Sequence, residues 1–442
     1  MFIIIIAGMF LFIVTMINPF FVLPIFVAGS YTEPLQFFPQ FVQYNPTMTL
    51  GIIVLAAYIL HVCSAKDFIN PKSGQIKFMI FFIIWMGVSS IVHGGFSFEM
   101  FKIILTRSFL PYFLFICIIQ SKKQLKIITW IFLLLGVITA VYGIYQFKFN
   151  LGIYDRGVRR IVSFFDNPNA LGISLALLIP FAMGLLVYGK YKARVRALIL
   201  GFLAILTAGV VISYSRSGFI GFIAAIFLFV ALFFKGEKKI VAGVITVICL
   251  LIAIDFFPSH AKYTMWGRLR TITRADSAEE LDAGRAETGK AGIKMMMENP
   301  LFGVGLGRFR GTYINMAATS DDVKVVSEHA LVAHNLYVQV GSQIGLVGLF
   351  LYLLFILSVF RDLRAAKISS LRRKDTFITT IVVCIQTSVI VFLLCGFMSG
   401  ILLNKSIWMI FPVSAALKKI NDHEEELSQN SKFPSNKKKP WK

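Results

Sequence analysis

The sequence predicts an all-α polytopic membrane protein with about 12 transmembrane helices and one long extracytoplasmic loop. Two observations carry that expectation. Hydrophobic residues make up 57% of the 442 and the mean hydropathy is +0.77, where a soluble domain holds about 45–50% apolar residues. These residues also fall in runs close to the roughly 20 that a bilayer-crossing helix needs, and Lys and Arg collect in alternate gaps between the runs. The formal net charge of +22 is therefore read as helix orientation against a lipid bilayer and not as a nucleic-acid surface.

Taken in order, the apolar runs fall at 2–28, 48–65, 77–94, 101–120, 127–147, 170–188, 197–213, 217–234, 240–257, 335–360, 376–398 and 401–417. The first starts at Met1 with no Lys or Arg ahead of it, which fits a retained helix better than a cleaved signal peptide. Lys66, Lys72 and Lys77, then Lys122, Lys123 and Lys126, then Lys190 to Arg196, Lys235 to Lys239, Arg361 to Lys374 and the Lys-rich tail lie on one side, which the positive-inside rule makes cytoplasmic. Both termini are then expected inside. The chain divides into nine helices over 1–257, a long outer loop over 258–333, three helices over 334–418 and a disordered basic tail over 419–442. All five cysteines, Cys63, Cys117, Cys249, Cys384 and Cys395, sit in apolar runs and read as small buried hydrophobes.

Basic residues that break the orientation pattern mark the outer side. They are Arg156, Arg159 and Arg160 before the sixth run, Arg216 in the short turn Ser213 to Gly218, and Arg268, Arg270, Arg274, Arg285, Arg308 and Arg310 in the long loop. An anionic ligand is one explanation, and exemption of long loops from the rule is the other. Arg216 and Arg285 can each present a planar fork to two phosphate oxygens, or serve as an interfacial anchor and a solvated loop charge. Arg107 stands inside the fourth run, where it lines a cavity or pairs structurally with a carbonyl or an acid.

The long loop is too long to be structureless. Residues 284–298 have the pattern of an amphipathic helix of the kind that lies on a membrane surface, Pro300 ends it, and Gly303, Gly305 and Gly307 make a turn or hinge. That glycine run is no nucleotide loop, since it lacks a following Lys-Ser or Lys-Thr. His334 stands at the mouth of the tenth run, where an imidazole can exchange a proton near neutral pH or play a structural part. His329 is five residues from it, off the helical i, i+4 face, so no metal site is expected. Asp166 or Asn167 is placed to cap the sixth helix.

The order of Ser163-Phe-Phe-Asp-Asn-Pro-Asn169, Tyr214-Ser-Arg-Ser-Gly218, Gly284-Arg285 leading into Glu298-Asn-Pro-Leu-Phe-Gly-Val-Gly-Leu-Gly-Arg308, and Ala333-His-Asn-Leu-Tyr337 with Gly345-Leu-Val-Gly348 resembles the O-antigen ligase and O-antigen polymerase superfamily of bacterial polysaccharide assembly. The resemblance implies a GT-C-like helical glycosyltransferase that needs no metal or cofactor. It would act at the outer face of the plasma membrane, take glycan from an undecaprenyl-diphosphate-linked donor, and pass it to a glycan, lipid, wall-polymer or protein acceptor. Arg216 and Arg285 would bind the diphosphate and His334 would act as base, with Asn335, Arg308, Arg160, Arg107, Asn167 and Asn169 in support. Family members often carry an aromatic residue just after the loop arginine, where this chain has Ala286-Glu-Thr-Gly-Lys290. The rival reading is a transporter or channel for an anionic solute or lipid-linked glycan, whose pathway could use the same arginines.

Overall fold

The computed structural model describes residues 2–32, 46–65, 73–92, 98–155, 158–188, 191–238, 243, 275–319 and 332–432. They form helices α1 (Phe2–Ile17), α2 (Pro19–Thr32), α3 (Pro46–Ala65), α4 (Gln75–Val92), α5 (Phe98–Ile104), α6 (Leu110–Ile118), α7 (Lys122–Lys148), α8 (Pro168–Ala176), α9 (Ile179–Tyr188), α10 (Ala193–Ile212), α11 (Arg216–Phe233), α12 (Ala275–Glu298), α13 (Phe309–Thr319), α14 (Leu336–Arg372), α15 (Thr376–Gly396) and α16 (Lys405–Lys432). One two-stranded hairpin, β1 (Ile153–Asp155) with β2 (Val158–Arg160), departs from the all-α expectation; it pairs Ile153 with Arg160.

Among the described residues, eight segments are long and apolar enough to cross a membrane: 75–92, 100–118, 122–148, 168–188, 193–212, 216–233, 336–372 and 376–396. Each falls on a predicted run. The run 48–65 lies in α3, the run 401–417 enters α16 at residue 405, and the helix expected over 240–257 lies outside the described residues apart from residue 243. The first run requires correction, because 2–28 is two helices parted at Asn18, where Pro19 starts α2. Asn18 and Pro19 line a pocket with His61, Gln120 and Gln124 near the basic start of α7, whereas Tyr31 packs on Phe165 and bonds Ser406 at the other end of the bundle. Helix α2 alone, roughly 21 Å long at 1.5 Å per residue, therefore covers the depth assigned to the whole run.

Helices α4 and α14 run antiparallel and are pinned along their length. Asp362, fully buried, accepts from Ser73 Oγ at 2.7 Å and Gln75 Nε2 at 2.8 Å, and Gln75 Oε1 in turn accepts from Tyr112 at 2.9 Å. At the far end Trp85 Nε1 donates to the Ile344 carbonyl at 2.9 Å. Phe355 on α14 packs on Tyr112, Trp408 and Phe411, which brings α6 and α16 onto the same core. Two further spans are interrupted. A π-helical turn, Leu105–Phe109, joins α5 to α6, and the span 168–188 breaks between α8 and α9 beside Pro180. At the second break Ser388 Oγ donates to the Leu177 carbonyl at 2.7 Å and Cys384 Sγ to the Pro180 carbonyl at 3.1 Å.

The basic end is closed by ion pairs. Lys122 meets Asp375 and, at 2.7 Å, Glu424; Arg373 meets Glu424 at 2.9 Å and bonds Asn421; and Ser369 donates to Glu425 at 2.8 Å. This overturns the disordered assignment for the start of the tail, since α16 continues to Lys432. The acids Glu424 and Glu425 have basic partners on α7, on α14 and in the turn after α14, so their charges hold a helix where a solvated segment was expected. Helix α14 likewise continues through most of the basic segment expected as a loop.

Asp375 also caps α15, accepting from Ile378 N at 3.0 Å. Burial pulls its pKa upward, but the Lys122 ammonium and the Ile378 amide outweigh burial and hold the carboxyl below its ordinary range. A depressed folded pKa adds stability above the unfolded value, near 3.9, that is lost as pH falls through the folded value. Asp375→Ala is expected to destabilise the protein at pH 7 by at least the roughly 1 kcal/mol of a lost helix cap. In thermal unfolding, the gap between wild type and variant should narrow below about pH 4.

Candidate active site at the helix mouths

At the end opposite the ion-pair clamp, a side chain caps the start of each of four helices. Asn167 Oδ1 accepts from Ala170 N at 2.9 Å, Ser215 Oγ from Gly218 N at 3.0 Å, Asn335 Oδ1 from Tyr337 N at 2.9 Å and Val338 N at 3.1 Å, and Asn404 Oδ1 from Ser406 N at 3.1 Å. The starts of α8, α11, α14 and α16 thus bring four positive dipole ends to one face. The turns beside three of them are strained. Ser163, Tyr214 and His334 hold φ of 51°, 49° and 51°, a left-handed conformation that costs a non-glycine residue of order 1–3 kcal/mol and persists only where the surroundings impose it. Each lies in one of the motif turns singled out above, and Tyr214 and His334 directly precede a cap.

The surroundings that impose it are visible around Arg160. This side chain, 8% exposed, reaches from β2 and donates to Asn169 Oδ1 at 3.2 Å and to the Tyr214 carbonyl at 3.3 Å. Asn169 Oδ1 also accepts from Ser215 Oγ at 2.9 Å. One network therefore joins the hairpin, the 163–169 turn and the 214–216 turn, and it fixes the backbone from which Arg216 projects as the first residue of α11. Arg107, in the π-helical turn, pairs with Asp166 at 3.1 Å, which is the acid alternative of the two structural pairings considered from sequence.

The end of α15 bridges the Arg216 turn to His334. Cys395 Sγ donates to the Ser217 carbonyl at 3.3 Å, and Asn335 Nδ2 donates to the Phe397 carbonyl at 3.4 Å. Asn335 is thus a cap and a tether, and it holds the turn that presents His334.

Arg285 and Arg308 belong to a second unit, formed by α12, the glycine turn and α13. Helix α12, amphipathic as the sequence pattern suggested, packs along the first turns of α14: Gly292 sits against Val338, Phe309 and Ala333, and Gly341 sits against Met296. Arg285, Thr288, Gly292 and Met296 form the stripe that faces α14, with Thr288 fully buried. Arg285 stands two turns, roughly 10 Å, beyond the residue that touches Ala333. The opposite face, with Ile293 and Met297, is exposed and apolar enough to meet lipid.

The turn after α12 does more than reverse the chain. Helix α14 is broken at Gly345, which takes φ 74° and ψ 176°, and the released backbone groups pair with the glycine turn. Val304 N donates to the Ser342 carbonyl at 2.8 Å, Gly305 N to Gln343 O at 2.9 Å, and Leu346 N to the Pro300 carbonyl at 2.7 Å. Gln343 Oε1 then accepts from Gly307 N at 2.7 Å, next to Arg308. Ser89 Oγ donates to the Phe302 carbonyl at 2.5 Å, and Trp85 stacks on Phe302. Gln343, Ser89 and Trp85 escaped the sequence reading, which gave Asp166 only a capping role; a glycine inside the apolar run after His334 was the one available signal for the break. Among the described residues no group of three His, Cys, Asp or Glu is placed to hold a metal ion.

This is a polytopic, nearly all-helical membrane protein whose motif residues gather where several helices begin. Residues 200–353 match the family described as O-antigen ligase, which supports the superfamily that the motifs led one to expect. No curated protein matches the chain. The match and the apolar helices make it a bacterial inner-membrane protein, a glycosyltransferase-like enzyme of polysaccharide assembly.

A Cβ at position 345 would collide with the Leu301 carbonyl and the Phe302 amide in a backbone conformation unsuited to an L side chain. Gly345→Ala is expected to lower folded yield in the membrane and the apparent melting temperature, with a cost of about 1–3 kcal/mol from the backbone alone. Gly311→Ala, in helix α13 with open space around it, should leave both unchanged or slightly raised.

Proposed function

We propose that the chain transfers or polymerises glycan from an undecaprenyl diphosphate carrier onto an acceptor hydroxyl at the outer face of the membrane. Arg216, Arg285 and His334 all fall within the matched stretch 200–353. The observation that carries the reading is the bridge through α15, which ties the Arg216 turn and the His334 turn to one helix end.

In this reading Arg216 and Arg285 take the diphosphate by paired N–H donors. They neutralise the charge that grows on it as the bond to the anomeric carbon lengthens, work that a divalent ion performs elsewhere. His334 accepts the proton from the acceptor hydroxyl as its oxygen attacks that carbon from the opposite side. A new glycosidic bond forms, the carrier leaves as undecaprenyl diphosphate, and the anomeric centre inverts. Arg160, Asn169 and Asn335 position these groups, Asn167 caps the helix beneath them, and Arg107 and Arg308 add positive charge at the rim. The acceptor is a glycan, a lipid, a wall polymer or a protein.

A transporter would have to open both ends of the bundle. At the basic end, Lys122, Arg373, Asp375 and Glu424 tie α7, α15 and α16 together, and Asp362 ties α14 to α4. That closure favours an enzyme working from the other face.

With purified protein and a lipid-linked donor, His334→Ala should slow transfer by about 10²–10⁴-fold, the range of general-base catalysis, while donor binding stays near wild type. Arg216→Lys and Arg285→Lys should each weaken donor binding and lose most activity, because Lys keeps the charge but not the fork. Wild-type transfer by His334→Ala, or its failure through lost donor binding, would remove the histidine from the role given to it.

A further inference from the structure

The break in the first apolar run rearranges the hydrogen bonds around Asn18. In a continuous helix the Phe20 amide would bond the Met16 carbonyl, four residues back. Here Phe20 N donates to Asn18 Oδ1 at 3.1 Å, and the released Met16 carbonyl accepts from His61 Nδ1 on α3 at 2.6 Å. A carbonyl only accepts, so the neutral imidazole carries its proton on Nδ1 and keeps Nε2 as an acceptor. Nearby, Gln124 Oε1 accepts from Gln120 N at 2.7 Å and Ser121 N at 3.1 Å. The carboxamides of Asn18 and Gln124 thus have their oxygens committed to the backbone and offer N–H donors. Among the described residues nothing meets Asn18 Nδ2, Gln124 Nε2 or His61 Nε2.

These three side chains line one cleft of about 180 Å³ together with Tyr58, Gln120 and Phe20. Pockets for drug-sized ligands run to roughly 300–1,000 Å³, so this one suits a single small polar group. Its surroundings select the kind of group. On α3, Tyr58 and His61 face the cleft while Ile59 and Leu60 between them are exposed, and Ile13, Ile17 and Phe21 are exposed on the α1 and α2 side. Apolar side chains exposed around a polar cleft in a membrane bundle meet lipid, so the cleft opens at the edge of the bilayer. It also lies at the basic end, where α7 starts with Lys122 and Lys123.

We propose that this cleft holds the headgroup of one phospholipid from the leaflet at the basic end. Asn18 Nδ2 and Gln124 Nε2 donate to the phosphate oxygens. His61 Nε2 accepts from the hydroxyl or ammonium group that the phosphate carries, as in phosphatidylglycerol or phosphatidylethanolamine. The acyl chains lie along the exposed apolar side chains of α1, α2 and α3. The site is at the opposite end of the bundle from Arg216 and His334, and it does not depend on the reaction proposed there.

The test titrates the purified full chain in detergent with phosphatidylglycerol, phosphatidylethanolamine, phosphatidylcholine, inorganic phosphate and undecaprenyl diphosphate. Native mass spectrometry reads retained lipid, and the rise in melting temperature reads binding. One phosphatidylglycerol or phosphatidylethanolamine should be retained per chain and bind at least about tenfold more tightly than phosphatidylcholine, which has the phosphate but no hydrogen to give His61. The tighter of the two separates hydroxyl from ammonium. Asn18→Asp and Gln124→Glu keep the oxygens that accept from the backbone but set a carboxylate against the phosphate, so each should weaken binding about tenfold while the melting temperature without lipid stays at the wild-type value. Should one of them fold poorly, the other decides. His61→Asn keeps a donor for the Met16 carbonyl and should erase the preference over phosphatidylcholine. Equal binding of the three phospholipids by the wild type, or wild-type binding by the carboxylate variants, would overturn the proposal. So would inorganic phosphate binding as tightly as lipid, or undecaprenyl diphosphate displacing the phospholipid at equal concentration, which would assign the cleft to the carrier.

Discussion

A peptide group that leaves a helix inside a bilayer must find its partner within the protein, since an unmet one costs several kcal/mol. This fold breaks its spans and meets that constraint each time with a specific neighbour. The break beside Pro180 is served by Ser388 and Cys384 of α15. The break at Gly345 is served by the backbone of the glycine turn, by Ser89 and by Trp85. The second arrangement has the larger consequence, because it anchors the segment between α12 and α13 to a membrane helix through main-chain bonds. Helix α12, which carries Arg285, is thereby held against the helix that begins just after His334.

Charge is distributed so that the two ends of the bundle behave differently. At the basic end Lys and Arg are matched by Asp375, Glu424 and Glu425, and the result is a closed, salt-dependent seal. At the other end the described residues present capped helix starts, and Arg107 pairs with Asp166. A helix start gives an anion about 0.3–1 kcal/mol at an exposed site, whereas a hydrogen bond to a charged group gives about 1.5–3 kcal/mol. On the proposed reading the arginines would therefore decide where the donor diphosphate binds, with the helix dipoles biasing the region around them. Because Tyr214 and His334 are held in strained conformations, the geometry of the site depends on the network beneath it as much as on the residues that project from it.

Much of the membrane architecture was legible because span length and loop charge are local properties: the eight spans among the described residues coincide with apolar runs. The division of the first run was missed since hydropathy does not change across Asn18-Pro19, and only packing shows that α2 alone reaches Tyr31. The ordered helix after residue 418 was missed because its charges are satisfied by residues distant in sequence, such as Lys122 and Arg373. At the site, the turns at 163–169, 214–216 and 333–335 could be found from motif order. The partnership of Arg107 with Asp166 and the clasp between Gly303 and Gly345 could not, because both join segments tens of residues apart with no periodicity to betray them.

The central claim is that the lipid-linked donor binds at the helix mouths beside Arg216 and His334. Photocrosslinking with a diazirine-bearing undecaprenyl diphosphate sugar, followed by peptide mapping, tests it directly. The account predicts labelling of the 214–217 and 333–337 turns and of α12 around Arg285, competed by unlabelled carrier. Labelling concentrated at the other end of the bundle, in the pocket lined by Asn18, His61 and Gln120, would contradict it.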